Sequence, residues 1–478
     1  MANVKNRLIS GVIWDSIGHF SALGFQFLVL IIISRVLAPS DYGVIGLLTV
    51  FVSVAGIILD SGFSQALIRR ETLDQITLSS IFYVNLGVGV VIYSVLWFVA
   101  PYIARFYDVA ELVGYARILF LIIPVSSLGL TQSVQIQKNL KFKKFAVASF
   151  GAAFISGCVG LWMAYSGCGV WALVGQQLSL AGAKTILFFI QNRWLPSFVF
   201  DFAVVRELLG FSMNLMLHSL INTLMKNLYI LTIGKFYSTT EVGYYNQANK
   251  FEVISASTIT SIITRVSFPV MVRLKDNREQ FRSAYRGIMS MTCFVMAPVM
   301  SFLLIQAEPI FSLFLTDKWL PAAPYFQLLC IYGLIHPIIM LSYNVYKMQG
   351  RAKTLLYLDL FRHLLLVVSI VITIQRGITT LLIGQIVVMG VMAVVNMWQV
   401  GRLTTLSVWG QVTSVVPYYL VSALVAIVVC CVPSFECLAL SLLSKLMLFV
   451  TIYIMIVATL RLDSYREVVT LIKSKILR

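Results

Sequence analysis

Charge is what this chain has least of: Lys, Arg, Asp and Glu make up 12% of its 478 residues, about half the ~25% usual in soluble globular domains. With 59% of the residues hydrophobic, so few charges cannot clothe a water-soluble surface, and a soluble fold is excluded. Acids are scarcer still, 19 against 36 Lys and Arg, which leaves a net charge of +17. The basic residues are scattered in short clusters between apolar runs and form no continuous stripe, so nucleic acid is excluded as a partner. There is no GxxxxGK[ST] phosphate loop and no nucleotide domain, so ATP hydrolysis is not expected. The seven cysteines show no metal-ligand spacing, and most fall inside apolar runs, as small packing residues do. Connections longer than about eighteen residues are also missing. Function must therefore reside among the membrane segments.

What is present is a series of apolar runs. A bilayer core of about 30 Å needs roughly twenty helical residues to cross it, because only helices and closed barrels satisfy their own backbone in lipid. Fourteen runs qualify, near 9–34, 43–66, 79–103, 113–135, 145–165, 169–191, 207–233, 243–268, 287–309, 322–346, 354–374, 377–400, 412–432 and 437–460. The first is too long for a signal-peptide core and is expected to stay as a span. The expected class is an all-α integral membrane protein with about 14 transmembrane helices: two pseudo-symmetric six-helix bundles plus two C-terminal helices. The positive-inside rule tests the count. With the N-terminus in the cytoplasm, 24 Lys and Arg fall in cytoplasmic segments. Only Arg35, Arg105, Lys235, Lys318 and Arg376 fall outside. One span missed or invented would exchange the sides of every later loop and erase this contrast. The tail, 461–478, spaces Leu462, Tyr465, Val469, Ile472 and Ile476 along one helical stripe opposite Lys and Arg, the pattern of a helix lying on the cytoplasmic membrane surface.

Two segments repeat at an offset of 200 residues: Arg35 with Lys235, Asp41 with Glu241, Gly43 with Gly243 and Phe51 with Phe251. Spans one to six then recur as seven to twelve, in like orientation because six is even. The axis relating such copies lies along the membrane normal. The expected divisions are 1–203 and 204–403 for the two bundles, 404–460 for the added helices and 461–478 for the tail.

The same segments carry a family resemblance. The stretch RVLAPSDYG from Arg35 to Gly43, followed by DSGFSQALI from Asp60 to Ile68, resembles the opening of Wzx-type polysaccharide flippases of the MOP exporter superfamily, in particular their colanic-acid-exporter-like branch. Trp194 with Pro196 and Asp201, GYYNQANK from Gly243 to Lys250, Phe268 with Pro269, and KWLPAAP from Lys318 to Pro324 continue the match along most of the chain. The resemblance implies a V-shaped pair of six-helix bundles in the bacterial inner membrane, with both termini cytoplasmic. It also implies a transporter, not an enzyme, that moves undecaprenyl-diphosphate-linked oligosaccharide repeat units outward by alternating access. No cofactor is implied beyond a coupling ion, H+ or Na+. Partners would be the polyprenyl-linked oligosaccharide, membrane lipids and the polysaccharide polymerase machinery. A cation-coupled exporter of small molecules or drugs on the same fold is the alternative.

Ionisable groups inside spans cost roughly 2.5–3.5 kcal/mol each on insertion scales, so they mark cavities or partners. Cations that replace the hydration of a diphosphate are sought first. Lys226 and Lys250 lie in the outer halves of adjacent spans and either meet across one groove or snorkel to the interface. Arg265 either serves the same anion or reaches the cytoplasmic headgroups. Arg362 shares a helix face with Asp359 and His363, as a substrate clamp or a self-neutralising pair. Asp15 and Asp60 lie in the inner thirds of neighbouring spans. With Asp359 they are the candidate ion-coupling acids, a hydrogen-bonded turn being the alternative for Asp60. Lys184, Glu252, Lys445, His19, His218 and His336 complete the intramembrane set, and Pro124, Pro298, Pro337 and Pro417 are candidate bending points. Reporter fusions within 138–144 and 273–286 are expected to report cytoplasmic locations, and a periplasmic signal from either would overturn the layout.

Overall fold

The computed structural model describes residues 2–60, 63–70, 73–274, 277–404 and 406–462. Within these, side chains are described except at 2–17, 19, 209, 211–212, 214–215, 257–258, 261–262 and 264–266. The amphipathic stripe expected in the tail lies almost wholly outside the described residues. Among the described residues all regular structure is helical, as lipid requires of a chain that does not close into a barrel. The helices pack into two compact units, Met1–Asn246 and Gln247–Arg478.

The first unit contains α1 (Ala2–Val36), α2 (Pro39–Asp60), α3 (Phe63–Arg69), α4 (Gln75–Phe106), α5 (Leu112–Leu119) and α6 (Ile122–Lys138). It continues with α7 (Phe142–Tyr165), α8 (Val170–Asn192), α9 (Phe202–Phe236) and the first turns of α10 (Thr239–Arg273). The second unit holds the rest of α10, α11 (Arg278–Ile305), α12 (Ala307–Leu315), α13 (Ala323–Met348), α14 (Ala352–Thr373), α15 (Ile378–Thr404), α16 (Val408–Cys430) and α17 (Leu438–Thr459). Eleven stretches are long and apolar enough to cross a membrane, and each coincides with an expected span. The three other expected spans fall on α1, α9 and α10, which are 35 residues each and carry Asp15, His218, Lys226, Lys250, Glu252 and Arg265. Parts of all three lie outside the residues whose side chains are described, so length and composition of the described residues do not reach fourteen. That number rests on the alternation of charged loops.

The offset of 200 reappears in the elements. α1 and α9 end at Val36 and Phe236, and α2 and α10 begin at Pro39 and Thr239. The acids of the repeat sit in matching turns: the Asp41 carboxylate accepts from the Ala38 amide at 3.0 Å, and the Glu241 amide donates to the Ser238 hydroxyl at 3.2 Å. The glycines of the repeat touch. A Cβ on Gly43 would overlap the Thr239 carbonyl oxygen, and one on Gly243 would overlap the Pro39 carbonyl oxygen. The N-terminal turns of α2 and α10 thus cross backbone to backbone, an approach open only to residues without a side chain. Phe51 and Phe251 also behave alike, each meeting a ring where a short helix breaks off: Phe120 at the end of α5, 6.5 Å between centroids, and Phe311 in α12, at 5.3 Å.

Those breaks have local causes. The fourth span divides into α5 and α6 just before Pro124, which occupies the first turn of α6, where a proline needs no amide donor. The tenth opens on a 3-10 turn over Asp317–Ala322 containing Pro321 and continues as α13, with α12 set off before that turn. Pro298, Pro337 and Pro417 lie inside unbroken helices, and α10 runs through Pro269 to Arg273. Between α1 and α8, α7 presents Gly157 to Phe25 and Gly160 to Gln176, with 2.7 and 3.0 Å left for any added Cβ. Small residues let membrane helices approach closely where hydrocarbon supplies no hydrophobic drive between them. Gly43→Ala or Gly243→Ala is expected to cost about 3 kcal/mol, the upper range for overpacking, because a backbone carbonyl stands in the way. Gly56→Ala on α2, with open space around it, should stabilise by about 0.5–1 kcal/mol. Melting temperatures of the three purified variants check the contrast.

Candidate functional site

In the second unit, α14 brings together three of the expected groups. Asp359, Arg362 and His363 are spaced three and four residues apart and therefore share a helix face. The Arg362 Nη2 lies 3.1 Å from the Asp359 Oδ1, with the two side chains 22% and 10% exposed. Tyr343 on α13 donates its hydroxyl to the same carboxylate oxygen at 2.7 Å. Arg362 Nη2 is also 3.2 Å from His363 Nε2, while its Nε is buried without a hydrogen-bond partner among the described residues. The guanidinium is thus neutralised by its own helix and retains donor capacity. A desolvated charge is tolerable in lipid only on such terms.

Farther along the same unit, Glu252 of α10 is buried. Its Oε1 approaches Gly333 of α13 so closely that a Cβ there would stand 3.1 Å from it. Lys250, two residues earlier on α10, is half-buried. His336 on α13 packs by its ring against Tyr332 at 6.1 Å and has a buried Nδ1 without a hydrogen-bond partner among the described residues. Lys445 on α17 donates to the Ser434 hydroxyl at 2.8 Å, so a nearby loop takes up that charge.

In the first unit, Asp60 ends α2, and its carboxylate accepts from the Ser64 amide at 3.2 Å. This is the hydrogen-bonded turn that orients α3. Lys226 on α9 is exposed. The His218 ring meets a side chain of its own helix, its Nε2 lying 3.2 Å from Asn222 Nδ2. Lys184 on α8 borders a cavity shared with α1 and α7. Arg265 is on α10 and Asp15 on α1, and the side chains of both lie outside the described residues.

Sequence reasoning did not anticipate a polar joint in the first unit. Trp194 donates its indole N–H to Gln75 Oε1 at 2.6 Å, and Gln75 Nε2 donates to the Leu195 carbonyl at 2.9 Å and the Ser197 hydroxyl at 2.7 Å. Gln132 donates to the Trp194 carbonyl at 2.6 Å, and Asn192 donates to Gln132 and Gln135. Asp201 caps α9 through the Ala203 amide at 2.8 Å. The loop after α8 is thereby sewn to α4 and α6. The signal available beforehand was an excess of Gln and Asn at the ends of apolar runs, which composition averages away.

Trp194, Asp201 and Gly243 thus serve as joint, cap and crossing in the frame, and Trp319 is wholly buried in it. The sequence pattern of the family described as "Polysaccharide biosynthesis protein" matches residues 32–324, well over half of the chain. The protein belongs to this family. Among members of this kind, the chain is 26% identical over 438 residues to the teichuronic acid biosynthesis protein TuaB of Bacillus subtilis (strain 168), covering 90% of this chain and 89% of that one. It is 24% identical over 376 residues to the lipopolysaccharide biosynthesis protein WzxC of Escherichia coli (strain K12), covering 77% and 76%. The fold matches that of the lipid II flippase MurJ in an inward closed conformation, with a TM-score of 0.77 at 14% identity over 96% of this chain and all of the other. A multidrug resistance MATE transporter of the MOP superfamily, inward-facing, superposes with a TM-score of 0.63 at 15% identity over 80% and 97%.

The α14 cluster makes a measurable claim on stability. Asp359→Ala and Arg362→Ala each strand a partly buried opposite charge and should cost about 3 kcal/mol, whereas the double variant should cost clearly less than the sum. Tyr343→Phe removes one hydrogen bond, worth about 1 kcal/mol. Unfolding in detergent micelles reads all four.

Proposed function

We propose that this membrane protein is a flippase that moves undecaprenyl-diphosphate-linked oligosaccharide repeat units from the cytoplasmic to the periplasmic leaflet of a bacterial inner membrane, for the assembly of a surface polysaccharide. Membership of the polysaccharide biosynthesis family over 32–324 carries the reading. The near full-length match to TuaB supports it, and so does a fold held in common with a protein titled a lipid II flippase. Short loops support transport over enzymatic chemistry, because among the described residues they leave no soluble domain to hold a catalytic centre.

In this reading the chain works by alternating access without nucleotide hydrolysis, with both termini cytoplasmic, bundles over 1–203 and 204–403, and added helices over 404–460. Lys226, Lys250, Arg265 and Arg362 supply positive charge to the diphosphate in place of water. Asp15, Asp60 and Asp359 take up and release the coupling ion, H+ or Na+. The polysaccharide polymerase machinery receives the product on the far side.

The MATE likeness gives the second reading, export of small cationic molecules. Reconstitution separates the two. Vesicles containing the protein and a fluorescent polyprenyl-diphosphate oligosaccharide should show transfer to the leaflet shielded from a membrane-impermeant quencher, faster under a proton or sodium gradient. Movement of a cationic dye with none of the lipid would establish the exporter instead. Asp60→Asn should lose the dependence on the gradient, and full retention of it would remove Asp60 from the coupling role.

A further inference from the structure

Inside the first unit, α1, α7 and α8 border a half-open cavity of about 270 Å3, lined by Gly18, Gln26, Phe145, Ser149, Leu180 and Lys184. Its size lies just under the ~300–1,000 Å3 typical of small-molecule sites, enough for a headgroup and too little for an oligosaccharide. The polar lining is rich in donors. Lys184 brings an ammonium, Gln26 an amide, and Ser149 a buried hydroxyl without a hydrogen-bond partner among the described residues. No carboxylate borders the cavity among the described residues.

Lys184 is not placed to escape to water. Eight residues separate it from the end of α8 at Asn192, about 12 Å of helix, more than a lysine stem spans on its way to an interface. Instead its Nζ lies 5.8 Å from the centroids of both Phe145 and Phe188, rings that stack on each other at 5.4 Å. Both distances fall inside the cation–π range. The two rings position the ammonium at the edge of the cavity.

We propose that this cavity binds the phosphate group of an anionic amphiphile. Lys184 pairs with one oxyanion, Ser149 and Gln26 donate to the remaining oxygens, and Phe145 and Leu180 flank the first methylenes of the lipid chain. The site stands on its own geometry, whereas identifying the amphiphile as the cargo's diphosphate rests on the flippase reading. A bilayer phospholipid offers the same chemistry. By helical register, positions 15 and 19 fall on the same stripe of α1 as 18, 22 and 26, so pairing of Lys184 with Asp15 is the rival account.

Full-length protein in phosphatidylcholine nanodiscs, titrated with polyprenyl diphosphate, phosphatidylglycerol and uncharged polyprenol, tests the site. One of the two phosphorylated lipids should bind at least about tenfold more tightly than polyprenol, and Lys184→Gln should erase that margin, the loss expected for one charge-assisted contact. Lys184→Arg should keep it, and Ser149→Ala should weaken it severalfold without touching the charge. A preference for the diphosphate makes this a cargo site, and a preference for phosphatidylglycerol makes it a lipid site. Equal affinities for polyprenol and both phosphorylated lipids, or an unaltered margin in Lys184→Gln together with Ser149→Ala, would overturn the proposal. So would wild-type behaviour of the charge-swapped Asp15→Lys, Lys184→Asp double variant. Wild-type protein that binds the diphosphate lipid yet moves none across vesicles would refute the transport reading and leave the site intact.

Discussion

Hydrocarbon offers no hydrogen bond, and that deficiency shapes this protein at every level. The backbone must satisfy itself, so the described chain is helix after helix. Side-chain polar groups must find partners within the protein or pay the full cost of desolvation. The described polar groups mostly obey. Ser and Thr hydroxyls return to carbonyls one turn back along their own helices, as at Thr49 and Ser342. Asp359 and Arg362 neutralise each other on one turn of α14. Ser149 Oγ, His336 Nδ1 and Arg362 Nε are among the described groups that remain buried without a hydrogen-bond partner.

The same solvent explains the glycines. Between helices in lipid there is little hydrophobic drive, so association depends on close packing. At Gly43 and Gly243 the two copies of a repeated turn meet without a single intervening side-chain atom. Of the four pairs that match at an offset of 200, the glycines are the pair that touch. Asp41, Trp194 and Asp201, all within the stretch matched to the family, close turns and join helix ends.

Charge within the frame is distributed by mechanism. Asp60 orients a turn, Lys445 reaches a loop serine, Arg362 is matched by a carboxylate, and Lys184 is held by two rings beside a cavity. These four outcomes start from one sequence-level description, an ionisable residue within an apolar run. Lys184 and Lys445 are indistinguishable by composition. They differ because one has a loop serine at 2.8 Å and the other faces space bounded by three helices.

Much of the architecture was legible in the sequence because bilayer thickness imposes a length and the positive-inside rule imposes a sign, and both are properties of short windows. The helical class, the order of spans, the repeat and the shared face of Asp359, Arg362 and His363 all follow from spacing along the chain. Tertiary structure decided what spacing cannot encode. Polar residues scattered over Gln75, Gln132, Asn192 and Trp194 form one joint, His218 bonds within its own helix, and a cavity opens beside Lys184. Such features depend on which helix faces which, and that choice is made by the summed packing of many weakly specific contacts between segments far apart in sequence.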